Sequence, residues 1–486
     1  MINLDPSSLR QLGRCLLYYL EHTSLVLGVT YINPSLAASR ISMSSFQFST
    51  PENIAKAQPI CDLRPQTGNQ HQVLAFRNSS VNLETWSVAF APDRSYFAWS
   101  SGNCKVRLIP WDNQRNTVLD ITNVSGNVIR YGDINRQQNP QEQQQQQEQQ
   151  QVTKDVKIVQ CTDPVWSLAF GASKPHKKWK HINIKYHHFE HLDSSYDLII
   201  AIGLKSGKIM TVDIATEQIL LLVDHKDVIR DLKFSPDGSL ILLSASRDRT
   251  LKVWDLKDDG NMVVTLRGHS NWVYACAFAP DMSMLASVGS QKCVIVWDMK
   301  DRNLRKCKIL RRLTGHHHDV VACEFSPDGA LLATASYDTR VLLWDPHLGK
   351  LLQEYHHVFP PLSIVFAGGC NNNYVKHMAF SPDGSHFATV CDDKYIRFWS
   401  LFDTSDPVSV SDVRGGLCCS YSADGHVLAT GTRNGTVHFL MAPKEVQTLQ
   451  HTCRLAIRRL VPNTNDLDML NLPPGLSSYL RYDILS

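Results

Sequence analysis

Through the middle of the chain, hydrophobic and polar positions alternate in short runs such as Val228 to Phe234, Leu240 to Ser246 and Thr250 to Trp254, separated by turn chemistry of the type Ser235-Pro236-Asp237-Gly238. A period of two bounded by Pro, Asp and Gly predicts short antiparallel strands joined by tight turns. The pattern repeats. Asp224 to Asp255, Gly268 to Asp298 and Gly315 to Asp345 each carry a His near the start, a Phe nine residues later (His225 to Phe234, His269 to Phe278, His316 to Phe325) and Trp-Asp at the close. Weaker copies run from Trp86 to Asp112, Val165 to Ile214, Tyr374 to Ser400 and Leu417 to Ala442, which makes seven units. Self-similar meanders of this length stack into a closed ring that leaves no free sheet edge. The last unit stops one strand short, and His71 to Phe76 is the expected closing strand.

The closing dipeptides Trp254-Asp255, Trp297-Asp298 and Trp344-Asp345 resemble the signature of the WD40 repeat, which implies an all-β, seven-bladed propeller over residues 71–443. The resemblance also implies a hydrogen-bonded set in each blade linking His, a strand hydroxyl, a turn Asp and the Trp indole. Two blades carry it whole, as His225, Ser244, Asp248, Trp254 and as His316, Thr334, Asp338, Trp344. A third has His269, Ser287 and Trp297 with Gln291 in the Asp position, and a fourth has Thr389, Asp393 and Trp399 with Asn371 in place of His. Spacing that recurs blade by blade marks these His and Asp residues as structural, since one active site would not need repeating. The chain has no GxSxG, HExxH or P-loop motif, so no catalytic residue, metal site or cofactor is expected.

After Pro443 the alternation gives way to helical periodicity. Glu445 to Leu460 places Leu449, Cys453, Ala456, Ile457 and Leu460 on one stripe, with Arg454, Arg458 and Arg459 expected on the remaining surface and Pro462 ending the run. Thr448, Leu449, Cys453 and Ile457 resemble the elongin-binding register of the SOCS box. Leu470-Asn471-Leu472-Pro473 resembles its cullin-selecting Leu-Pro-x-Pro element, with Asn471 where that pattern has proline. A SOCS box over residues 446–486 behind a WD40 ring resembles the WD-repeat and SOCS-box-containing proteins. Membership implies a non-catalytic substrate adaptor of a cullin-RING ubiquitin ligase. Elongin C, accompanied by elongin B, would meet Leu449, Cys453, Ala456 and Ile457. The cullin and its RING protein would be recruited through Leu470, Leu472 and Pro473. A protein substrate would sit on the ring face that carries Arg247, Trp272, His318 and Tyr337.

Composition narrows the alternatives. A chain of 486 residues with 43% hydrophobic content can bury one large core with appendages. Its 49 basic and 46 acidic side chains leave a net charge of +3, so no chain-wide field favours nucleic acid or a membrane surface. Thirteen scattered cysteines without a CxxC pair suit a reducing compartment, cytosol or nucleus. The apolar run from Cys15 to Ile32 is interrupted by Glu21 and His22, so residues 1–70 are expected to be a weakly ordered extension. The glutamine tract at 137–151 has no apolar face and is expected to be a disordered loop between the first two blades. The basic insert at 174–191 carries five histidines whose spacing matches no zinc pattern. Two rival readings stay open: a propeller scaffold with no ligase role, and an RNA-binding propeller that uses the basic insert.

Overall fold

A computed structural model of the chain describes residues 59–63, 84–101, 104–112, 117–118, 127–130, 156–173, 198–299, 304–357, 374–401, 406–443, 448–461 and 463–482. Its strands form seven sheets, each one blade of a closed propeller. In the third blade Ile229–Phe234, Ile241–Ser246, Thr250–Asp255 and Asn261–Arg267 pair antiparallel in chain order, and the fourth, fifth and sixth blades repeat this meander. Blades pack face to face, so the middle strands are covered on both sides. Ile241–Ser246, Met284–Gly289 and Leu332–Ser336 are buried at every position. This is why these strands read as near-continuous apolar runs while the outer strand Asn261–Arg267 mixes polar and apolar residues and stays largely open. Packing is tight enough to dictate residue size. A Cβ on Gly289 would lie 2.2 Å from the Trp272 carbonyl oxygen.

Ring closure departs from the sequence expectation. The strand that pairs with Val437–Met441 is Pro59–Leu63, antiparallel with Pro59 opposite Leu440 and Leu63 opposite Val437. His71 to Phe76 lies outside the described residues, and the ring reaches back to residue 59 rather than 71. The first blade takes its fourth strand from Lys157–Gln160, which pairs with Lys105–Asp112. The glutamine tract therefore falls inside the first blade, between its third and fourth strands, rather than between blades. The tract itself, the insert at 174–191 and the segment at 358–373 lie outside the described residues. At the seam, Val88, Phe97 and Trp111 of the first blade pack with Val427, Val437 and Phe439 of the seventh, and Thr85 N donates to Thr432 O at 3.0 Å.

The blade-tying hydrogen bonds take three forms. In the third blade His225 Nδ1 meets Asp248 Oδ2 at 2.7 Å, His225 Nε2 meets Ser244 Oγ at 2.8 Å, and the Trp254 indole donates to Ser244 at 2.9 Å. The fifth blade repeats this with His316, Asp338, Thr334 and Trp344 at 3.0, 2.8 and 2.9 Å. In the fourth, His269 and Trp297 share Ser287 Oγ, each at 2.8 Å, and Gln291 bonds Ser270 instead. In the sixth the histidine is His357, not a group at position 371. Its Nε2 meets Thr389 Oγ1 at 2.8 Å, beside the Trp399 indole at 2.9 Å. Position 371 lies outside the described residues. The insertion there follows the histidine instead of preceding it, which broke the spacing by which the residue would have been recognised.

Every inner strand from the second blade to the seventh opens with the same irregularity. Register shifts fall between Val165 and Ser167, Ile229 and Asp231, Val273 and Ala275, Val320 and Ala322, Val375 and His377, and Gly416 and Cys418. A bulge re-aims the extra residue and bends the strand. Here the extra residues are Trp166, Arg230, Tyr274, Val321, Lys376 and Leu417, and all six line one cavity at the mouth of the ring axis.

Beyond the ring, helix α1 (Leu449–Leu460), a 3-10 segment (Thr464–Leu470) and helix α2 (Pro474–Leu480) form a small module. Thr448 caps α1 by accepting from His451 N at 3.2 Å. Ile457, Val461, Leu467, Leu470 and Leu480 close a miniature core, with Leu472 packed against it.

Candidate functional site

Two residues that periodicity assigns to solvent are buried in the docked module. Arg454 and Arg458 are 3% and 1% exposed. Arg454 lies 3.3 Å from the Tyr479 ring centroid and 4.2 Å from that of Tyr482, so its charge is carried over two aromatic faces. Arg458 donates to Val461 O at 3.3 Å and Thr464 Oγ1 at 3.4 Å, which staples α1 to the following turn. Burial lowers its guanidinium from the ordinary value, with the carboxylate of Asp328 opposing. Tyr482 is buried among Leu331, Tyr355 and Phe387 of the ring and donates its hydroxyl to Asp328 Oδ2 at 2.8 Å. His451 Nε2 bonds the Asp383 carbonyl at 3.1 Å, and Leu455 rests beside Gly384. Asp328 and Asp383 belong to the Ser-Pro-Asp-Gly turns that join the first and second strands of the fifth and sixth blades, so the module sits on the ring face where those turns emerge.

Docking by this polar and aromatic side leaves the other side of the module uncovered. Cys453 is half-buried, Ala456 is exposed, and Leu460 and Met469 are 58% and 44% exposed. Leu449 opens α1, and its side chain lies outside the described residues. Ile457 faces inward to the module's own core, not outward beside Cys453, because the 3-10 segment and α2 fold back over it. In the second element Leu470 is buried, Leu472 half-buried and Pro473 exposed at the N-cap of α2. Asn471 adopts φ 49°, a left-handed conformation that proline's ring cannot reach and that asparagine tolerates well.

The opposite face holds the second surface. Consecutive connections of an antiparallel meander emerge at alternate ends, so the loops between second and third strands, which carry Arg247 and Tyr337, lie across the ring from the module. The Arg247 guanidinium sits 4.7 Å from the Trp272 ring, and Trp272 is 41% exposed. His318 and Tyr337 pair at 5.7 Å, with Tyr374 5.0 Å from Tyr337. All four residues expected to face a substrate thus share one face, in two neighbouring groups. Sequence reasoning missed the residues between them: Trp86, Trp166, Arg230, Tyr274 and Lys376, which with Arg247 and Tyr337 line a cavity of about 440 Å³. For all but Trp86 the signal was available as the second position of an inner strand, but reading it requires the strand starts that only the ring supplies.

Repeats that match the model of the WD domain, G-beta repeat, cover residues 216–255, 260–298, 307–345, 362–400 and 410–439, and the SOCS box model matches residues 445–481. The architecture is therefore a WD-repeat propeller joined to a SOCS box, a combination that implies an adaptor role in ubiquitin ligation. The chain is 48% identical to WD repeat and SOCS box-containing protein 1 of Xenopus tropicalis over 446 residues, which cover 91% of this chain and 100% of that one. It is 50% identical to the Homo sapiens protein of that name over 409 residues, 82% of this chain and 92% of the relative, and 47% identical to that of Danio rerio over 448 residues, 91% and 100%. The chain belongs to the family of WD repeat and SOCS box-containing proteins.

Proposed function

We propose that this protein is a non-catalytic substrate receptor of a cullin-RING ubiquitin ligase, acting in the cytosol or nucleus. Elongin C, with elongin B as its companion, covers the outward side of α1, the segment from Leu470 to Pro473 meets the cullin that brings the RING protein, and the propeller holds a protein substrate. The observation that carries this reading is the division of α1. One side is fastened to the ring through His451 and Leu455, with Arg454 and Arg458 buried beside them, while Cys453, Ala456 and Leu460 remain uncovered. An apolar helical stripe presented by a rigid support is what helix-in-groove recognition needs. The receptor then acts by raising the local concentration of substrate lysines at the transfer site, with no chemistry of its own.

Co-expression of the full chain with elongin B and C tests this. A stable ternary complex is expected, and Ala456→Arg combined with Leu460→Glu should abolish it while ring melting stays unchanged, because neither residue touches the ring or the module's core. No complex with the native chain, or one indifferent to both substitutions, would overturn the assignment.

A further inference from the structure

The cavity at the ring mouth is lined by five cationic side chains, Arg230, Lys233, Arg247, Lys376 and Arg433, and by one carboxylate, Asp231. Three of the five are matched. Lys376 and Arg433 pair with Asp392 at 3.0 and 3.3 Å. Lys233 lies deep in the channel, where Asp231 and Glu324 both hold its charge in place. Asp231 is engaged in turn, since its Oδ2 accepts from Cys276 N across the blade boundary at 3.0 Å.

Arg230 and Arg247 are different. Both guanidiniums lie over the same indole, Trp166, at 4.8 and 5.4 Å, and their other aromatic neighbours are Tyr274 at 5.4 Å and Trp272 at 4.7 Å. Neither guanidinium makes a hydrogen bond or ion pair with any described residue, and the Nε–H of each is buried without an acceptor. Burial pushes the Arg230 guanidinium below its ordinary value, and the like charge of Arg247 over the same ring adds to the effect. A fold does not gain by leaving two buried donors empty next to each other. The bulge that turns Arg230 into the axis, and the loop that brings Arg247 over it, hold the pair in place ahead of any ligand.

We propose that this mouth binds an oxyanion side chain of a peptide, with Arg230 and Arg247 as the two forks that clamp it and Trp272, Tyr274 and Tyr337 packing the flanking residues. The shared chemistry is a carboxylate or a phosphoryl group, the two partners that guanidinium geometry fits. Aromatic rings beside cations could also suit single-stranded RNA. Here, however, Trp166 is already stacked on Trp86 at 4.5 Å as well as covered by both arginines, so it has no free face on which a base could stack. The inference rests on the receptor half of the proposed function and not on elongin capture, so losing elongin binding would sink the ligase reading and leave this one standing.

The test uses the immobilised full chain and an equimolar mixture of short random peptide pools whose central residue is fixed as phosphoserine, glutamate or serine, with retained peptides quantified by mass spectrometry. A charge-assisted contact is worth about 1.5–3 kcal/mol, so the phosphoserine or glutamate pool should be retained at least about tenfold over the serine pool. Whichever of the two leads identifies the source of the oxyanion. Arg230→Gln should remove the preference, and so should Arg247→Gln, which sits in a half-buried loop position and keeps the test open if the first variant does not fold. Equal retention of all pools, a preference that survives Arg247→Gln, or displacement of the acidic peptides by a random single-stranded RNA would each overturn the proposal.

Discussion

Tyr482 is the clearest place to test whether the C-terminal module is a separately docked unit. Its hydroxyl donates to Asp328 Oδ2 at 2.8 Å, while the other oxygen of that carboxylate is already taken by Ser326 Oγ at 2.6 Å and Ala330 N at 3.1 Å. Tyr482→Phe keeps the ring over Arg454 and leaves Oδ2 without its donor. A hydrogen bond to a charged acceptor contributes about 1.5–3 kcal/mol, so the undocked population should rise by a factor of roughly 10–150. Tyr482→Ala also empties the space among Leu331, Tyr355 and Phe387, and losing a buried aromatic typically costs about 3–5 kcal/mol. Lifted from the ring, the module keeps only its own core of five buried residues, too little to hold the hydrogen bonds of a twelve-residue helix as firmly. Amide exchange of residues 449–460 measures this. Protection should fall in the order native, Phe, Ala, with the inner strands unaffected. Unchanged protection in both variants, or loss of protection throughout the ring, would refute the reasoning.

Two further predictions concern the blades. Thr334→Val preserves shape but removes the oxygen that serves both His316 Nε2 and Trp344 Nε1, and two orphaned buried groups should lower stability by about 2–4 kcal/mol, read from the denaturation midpoint. Of the third, fourth and fifth blades, acid should act first on the fourth, where His269 has no aspartate and burial, helped by Arg312, brings it from 6.5 down to about 4. A folded-state value below the unfolded one means that stability is complete above 6.5 and is lost as pH falls through 4. In the third and fifth blades burial alone would raise Asp248 and Asp338, but the bonds from His225 and His316 outweigh it and hold both carboxyls well below their usual 3.8, so their contribution persists until pH drops beneath that. Amide exchange from pH 7 to 4 should show residues 273–298 loosening before 229–255 and 320–345, and Gln291→Asp should delay that onset; simultaneous loosening of all three would contradict the account.

How much of this was legible in the sequence depended on how local each signal is. The blades could be read because Trp-Asp, the turn glycines and the strand alternation all lie within one unit. Pro59–Leu63 could not, because a closing strand is chosen by backbone pairing with a segment far along the chain, and His71 to Phe76 alternates just as well. His357 was hidden by an insertion on its far side. In the tail, periodicity counted Arg454 and Arg458 as solvent-facing because charged side chains usually are. Their burial depends on Tyr479, Tyr482 and the turn at Thr464, which come later in the chain. That Ile457 turns into the module's core was hidden for a related reason: a helical stripe cannot say which of its members a downstream segment will cover. Arg247, Trp272, His318 and Tyr337 could be placed on one face from loop positions alone, whereas Arg230 and Trp166 become neighbours only once adjacent blades are assembled.

Because the module clings to the turns on one side of the ring and the basic mouth opens on the other, the disc itself stands between the two surfaces. Inner strands of six residues make that disc about 20 Å thick before its loops are added. On the proposed function, lysines close to the clamped residue would be shadowed, and only those on a stretch long enough to arch over the rim could be reached. The receptor would then choose its modification sites by tether length as well as by grip.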